Sequence, residues 1–153
     1  MNSYIKARQN ARALALQCLY QWDFHNKEEL QENAEYFLSQ INKDDYEKAI
    51  QKRVLSYTSE LVHSVIDNIE AIDDCFIPFL RSDWAVDRIP KVEKTLIRIC
   101  VAEMYFVSEK VPKEIAINEA LELTKNYGNE DSEKYVNGIL NQVAKNLPDK
   151  QKK

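Results

Sequence analysis

The stretch from Pro112 to Leu147 limits what this chain can become more than any other part of it, because two helical patterns follow one another with firm punctuation between them. Pro112 suits a helix start: it lacks the N–H that a first turn leaves unpaired, and its fixed φ already fits the helix. Gly128 marks where that helix ends. After Gly128-Asn129-Glu130, either Asn129 or Asp131 can accept a hydrogen bond from an N–H of the next helix. Tyr135, Val136, Ile139, Leu140, Val143 and Leu147 then repeat at helical spacing. Asn137 and Gly138 interrupt this stripe. Glycine inside a helix costs roughly 1 kcal/mol relative to alanine, so something should offset it: either another helix packs close against Gly138 and Asn137 bonds to a neighbouring backbone, or the two residues have a role beyond packing.

The rest of the chain follows the same pattern. Two glycines and four prolines are all that interrupt 153 residues, of which 44% are hydrophobic and 30% charged. Long amphipathic helices with short connections are the expected product, and no run of alternating β-branched residues competes with them. Seven helices are predicted, at about 4–24, 29–41, 45–69, 72–81, 91–108, 113–127 and 131–147. The fold class is all-α. Residues 1–148 read as a single domain and 149–153 as a disordered basic tail with nothing to bury. The acidic stretch from Lys27 to Glu47 reads as a solvated helix face, with Asp44-Asp45 capping the helix after it. Leu96, Ile97, Ile99, Cys100, Val101, Met104, Tyr105, Phe106 and Val107 make the fifth helix apolar almost all round, so other helices should surround it. Its charges Glu93, Lys94, Arg98 and Glu103 must then lie at its ends or be paired.

Catalytic chemistry finds little support. His25 and His63 have no second ligand at metal spacing, and Cys18, Cys75 and Cys100 make neither a zinc site nor a disulfide framework. Adjacent carboxylates such as Asp73-Asp74 diverge on a helix, and no phosphate-cradling glycine loop or nucleophile elbow is present. No enzyme activity, metal or cofactor is expected. Buried free thiols, no signal-peptide core and no apolar run of bilayer length point to a cytoplasmic protein.

A functional surface can be argued on the first helix. Ala7, Ala11, Ala15, Cys18 and Trp22 form a small-residue face for close packing, while Leu16 and Tyr20 point roughly the other way, toward solvent, a second packing layer or a partner. Lys6, Arg8 and Arg12 make the start of the helix basic. Arg8 and Arg12, four apart on one edge, can reach the same phosphate backbone, or else form a solvated edge.

Three blocks, in order, carry a family resemblance. Arg12…Ala15-Leu16-Gln17-Cys18-Leu19-Tyr20-Gln21-Trp22 is similar to the first helix of the NusB family of bacterial transcription antitermination factors. Val92-Glu93-Lys94, Leu96-Ile97-Arg98-Ile99 and Glu103-Met104 resemble its central helix. Ala116-Ile117-Asn118-Glu119-Ala120, Gly128…Asp131-Ser132 and Tyr135-Val136-Asn137-Gly138-Ile139-Leu140 resemble its C-terminal signature. The resemblance implies two packed helical bundles sharing the first helix. It also implies a factor that binds boxA-type single-stranded RNA with a small ribosomal subunit protein, NusE, and supports ribosomal RNA transcription within the RNA polymerase antitermination complex.

By the same resemblance Lys6, Arg8, Arg12, Gln17, Asp131 and Tyr135 are RNA-binding residues, and Tyr20 and Glu93 belong to the NusE contact. Tyr135 can stack on an unpaired base or pack in the core. Gln9 and Asn10 stand where well-known members have arginines, which thins the basic patch. With a net charge of -4, RNA binding should depend on a basic partner. Arg12→Glu is expected to weaken RNA binding and spare the partner, and Tyr20→Asp to do the reverse. Two other classes compete. A NusB-like domain also precedes the catalytic part of some ribosomal RNA cytosine methyltransferases, but this chain has no adenosylmethionine-binding sheet. A protein-only scaffold or homodimer could instead cover the Tyr20 and Arg12 region.

Overall fold

A computed structural model describes residues 2–21, 27–80 and 88–147. Seven α-helices account for most of them: α1 Ser3–Tyr20, α2 Lys27–Ser39, α3 Gln51–Asp67, α4 Ile69–Phe76, α5 Lys91–Tyr105, α6 Lys113–Tyr127 and α7 Ser132–Asn146. The chain forms two compact units, residues 1–66 and 67–153. The expected helix content at 22–24 and the tail at 149–153 lie outside the described residues.

In the first unit α1 starts where Asn2 caps it, the side-chain oxygen accepting from the Tyr4 N–H at 2.7 Å. Its small-residue face is buried as expected at Ala7, Ala11, Ala15 and Cys18; Trp22 lies outside the described residues. Ala7 and Leu14 share a core cluster with Ile50 and Val54 of the α3 region, against which Phe37, Ile41 and Tyr46 pack. The helix predicted at 45–69 begins later. Lys43–Asp45 form a short 3-10 turn, and α3 starts only at Gln51. Asp44 and Asp45 do not cap α3; they sit inside that turn, whose own cap is Asn42, accepting from the Asp44 N–H at 3.0 Å. Asx side chains favour such local turns over helix interiors. The carboxylates of the acidic stretch are exposed, yet two of them pair: Glu35 with His63 at 2.5 Å and Glu47 with Lys6 at 2.9 Å.

The second unit is built around α5, which packs against α4, α6 and α7 and is buried from Thr95 to Tyr105, as its all-round apolar pattern requires. One of its buried charges, Arg98, is paired with a carboxylate. Arg98 donates from Nε and Nη2 to both carboxylate oxygens of Asp73, at 2.8 and 2.7 Å, the fork geometry that suits a guanidinium to a carboxylate. The fourth helix was expected at 72–81; it runs instead from Ile69 to Phe76. Asn68 breaks the chain from α3 with φ -121° and ψ 24°. At the other end Pro78 has no N–H for an α-helical bond, and Ile77–Phe79 close a 3-10 turn through Leu80 N–H to Ile77 O at 3.1 Å.

Pro112 immediately precedes α6 and Gly128 terminates it, as the sequence predicts. Lys113 Nζ donates to the backbone oxygens of Ala144 and Leu147 at 2.6 and 3.2 Å. It thereby ties the start of α6 to the carbonyls at the end of α7, where a cation is favoured by the helix dipole. Gly138 departs from expectation. It is exposed, and a Cβ placed on it would meet nothing within 4 Å, so among the described residues no helix lies close against it. Asn137 is exposed as well, and its Oδ1 and backbone oxygen accept from Asn141 Nδ2 at 2.5 and 2.9 Å.

Candidate nucleic-acid interface

Helix α1 displays its polar residues unevenly. Lys6 reaches Glu47 through their 2.9 Å pair, with both side chains largely in solvent, where such a pair contributes at most about 1 kcal/mol and is readily exchanged. Arg8 is held differently. Its guanidinium carbon lies 3.9 Å from the centre of the Tyr57 ring and 4.8 Å from that of Tyr4, both inside the range of cation–π attraction. Tyr57 is buried and Tyr4 is 46% exposed, so one ring anchors the arginine and the other stands at the surface. The two tyrosines line a cleft with Ala7, Arg8, Arg53, Ser56 and Glu60.

Arg12 does not lie on an open edge beside Arg8. It is only 4% exposed, and its neighbours Ala11, Leu14, Ala15 and Leu16 are buried too. The shared phosphate-facing edge expected from the four-residue spacing is therefore absent. Leu16 is buried as well, so the protein itself covers it. Tyr20, at 43% exposed, remains on the surface. Gln17 is exposed, with its backbone oxygen accepting from Gln21 Nε2 at 3.1 Å.

In the second unit Glu93 is 1% exposed, and its Oε2 accepts from the backbone N–H of Asn129 at 2.8 Å. A buried carboxylate needs such a donor. The approach is so close that a Cβ on Gly128 would stand 2.7 Å from that same oxygen and 2.9 Å from Thr124 O. Glu93 thus fixes the loop between α6 and α7 from below. Asp131 follows on that loop, exposed, in the N-cap position of α7 but without a side-chain capping bond; the first turn is closed instead by Ser132 N–H to the Asn129 carbonyl at 3.1 Å. Tyr135, one turn on, is half-buried, between the stacking and core positions foreseen for it.

The structure therefore groups the candidates within each unit. Arg8 stands with Tyr4, Arg53 and Tyr57 in the first, and Glu93 holds the loop leading to Asp131 and Tyr135 in the second. Tyr4 was legible as the residue four before Arg8 on one helix. Arg53 and Tyr57 were not, since they come from α3 and meet α1 only through tertiary packing.

All three thiols are free. Burial pushes Cys18 up to about 12, with the Glu35 carboxylate adding to the effect, and burial followed by Asp74 and Asp73 raises Cys75. Among the described residues no group of histidine, cysteine and carboxylate side chains is placed to hold a metal ion, and no helix is long and apolar enough to cross a membrane.

Comparison with known proteins gives a consistent result. The NusB family pattern matches residues 9–145. A transcription antitermination protein NusB from Bdellovibrio bacteriovorus is 38% identical over 141 residues, covering 92% of this chain and 97% of that protein. One from Geotalea daltonii is 34% identical over 152 residues, covering 96% of this chain and all of that protein. Among solved structures, NusB of T. maritima superposes with a TM-score of 0.72 at 29% identity, covering 91% of both chains. A chain from a crystal structure of antitermination factors NusB and NusE in complex with dsRNA gives 0.72 at 28% identity, covering 92% of this chain and 97% of that one. With a family match over most of its length and relatives of this identity along nearly all of it, the chain belongs to the NusB family.

Proposed function

We propose that this chain is a non-catalytic transcription antitermination factor of the cytoplasm. It binds boxA-type single-stranded RNA jointly with the ribosomal protein NusE and so supports ribosomal RNA transcription by the elongating polymerase. The observation that carries this reading is the family match from residue 9 to 145, which takes in α1 from Gln9 onward, with Arg12 and Gln17, and the Glu93-held loop. The relatives' name, and a structural neighbour solved with NusE and dsRNA, support the same assignment.

The residue roles are those the family resemblance implies, adjusted for the exposure of each side chain. Lys6, Arg8 and Gln17 contact RNA from α1, and Asp131, at the N-cap of α7, and Tyr135, on α7, contact it as well, Tyr135 by stacking its ring on a base. Arg12, being buried, serves the RNA site by fixing α1 rather than by touching phosphate. Tyr20 contacts NusE. Glu93 acts on that contact through the loop it holds, because a carboxylate 1% exposed offers a partner almost no surface.

A chain with a net charge of -4 has no long-range attraction for RNA, so a basic partner supplies it. Fluorescence anisotropy of a labelled single-stranded RNA carrying the boxA element of the source organism tests the reading. Selective binding over a scrambled RNA, tighter when NusE is added, is expected. Equal binding of both RNAs with and without NusE would replace it with a protein-only scaffold.

A further inference from the structure

The cleft around Arg8 contains more than the family's arginine motif. Arg53, Ser56, Tyr57 and Glu60 of α3 line it together with Tyr4 and Ala7 of α1. Its volume of about 170 Å3 falls below the roughly 300–1,000 Å3 of a pocket that encloses a small molecule. A single phosphate group is the scale it suits. Its charge agrees: the guanidiniums of Arg8 and Arg53 against the carboxylate of Glu60 leave one net positive charge, the complement of one phosphodiester.

The way Arg8 is held also favours an anion. Stacking on Tyr57 and Tyr4 engages the faces of its guanidinium, whereas anions are bound by the in-plane N–H groups, so the two interactions are compatible. Because the buried Tyr57 ring fixes the group beforehand, less side-chain freedom is lost on binding. Exposed Tyr4 lies at the surface of the same cleft, and an aromatic beside a phosphate site is the pairing that single-stranded nucleic acids use.

We infer that Arg8 and Arg53 hold one backbone phosphate of single-stranded RNA in this cleft while an adjoining unpaired base stacks on Tyr4, extending the RNA surface from α1 onto α3. This rests on the RNA-binding reading above. Tyr57 is the positioning residue, acting through Arg8.

The test titrates the full-length protein with its NusE partner against the labelled boxA RNA at several salt concentrations. Arg53→Gln is expected to weaken binding and to reduce the slope of log K against log salt by about 0.7, the loss of one phosphate contact on a single strand. Tyr4→Ala is expected to weaken binding roughly fivefold or more, and Tyr4→Phe to restore it, since stacking needs the ring and not the hydroxyl. Arg53 and Tyr4 are both exposed, so these variants keep the fold, with thermal unfolding as the check. Parent-like affinity and slope in Arg53→Gln and Tyr4→Ala, with Arg8→Gln impaired, would overturn the cleft and leave the RNA reading standing. Absence of RNA binding by the parent protein itself would overturn both.

Discussion

Glu93 Oε2 accepts a hydrogen bond from the backbone N–H of Asn129 at 2.8 Å, across 36 residues of sequence, and Gly128 is the residue that lets it. A Cβ there would stand 2.7 Å from the carboxylate and 2.9 Å from the Thr124 carbonyl. The backbone at Gly128 is extended, with φ -93° and ψ -170°, so its glycine is required by space and not by an unusual dihedral. Gly128→Ala is expected to destabilise the protein by about 1–3 kcal/mol. Glu93→Ala, which strands the Asn129 N–H, should cost about 1–3 kcal/mol as well. In urea unfolding the double variant should lose less than the sum, because one of the two clashes disappears with the carboxylate.

Gly138 behaves in the opposite way. Nothing within 4 Å would meet its Cβ, and it lies inside the helix Ser132–Asn146. Gly138→Ala is therefore expected to raise stability by about 0.8–1 kcal/mol. A calorimetric melting temperature checks this directly; a drop would mean that an unrecognised contact needs the glycine. If the same substitution weakens assembly with RNA and NusE, the open backbone at 138 serves a partner.

The pair of substitutions that the sequence alone recommends separates differently once burial is known. Tyr20 is 43% exposed, so Tyr20→Asp should leave stability within about 0.5 kcal/mol and weaken NusE binding in a pull-down. Arg12 is 4% exposed. Arg12→Glu puts a carboxylate into a buried site and should cost about 3–5 kcal/mol, abolishing RNA and NusE binding together through unfolding. Circular dichroism at increasing temperature distinguishes this from a local loss of phosphate contact, for which Arg8→Gln is the cleaner probe.

Cys18 gives the protein an alkaline limit. Burial, with help from Glu35, raises its thiol from 9.0 to about 12, so between those values the folded chain keeps a proton that the unfolded chain releases. Stability is then unaffected below pH 9 and falls as pH rises from 9 toward 12, by up to about 1.4 kcal/mol per pH unit. Thermal midpoints between pH 8 and 10.5 should decline less steeply in Cys18→Ala than in the parent. At pH 8 a thiol reagent should label half-buried Cys75 well before Cys18.

The order of the helices and both ends of α6 were legible in the sequence alone. Periodicity, the proline before α6 and the glycine after it act within a few residues of one another, and so they are legible without a fold. The short-range exceptions have short-range causes too: Asn42 capping a 3-10 turn where Asp44-Asp45 were expected to cap a helix, and Pro78 ending α4 early. What the charged and small residues do emerges from packing alone. Spacing showed that Arg8 and Arg12 share a helix, yet packing buries Arg12 and stacks Arg8 on Tyr57, a residue of another helix. Close packing was expected at Gly138, but it is Gly128 that a carboxylate from a distant helix crowds, while nothing would meet a Cβ at Gly138 within 4 Å. Burial and long-range contact depend on which helices meet, and that is a property of the assembled chain rather than of any local run of residues.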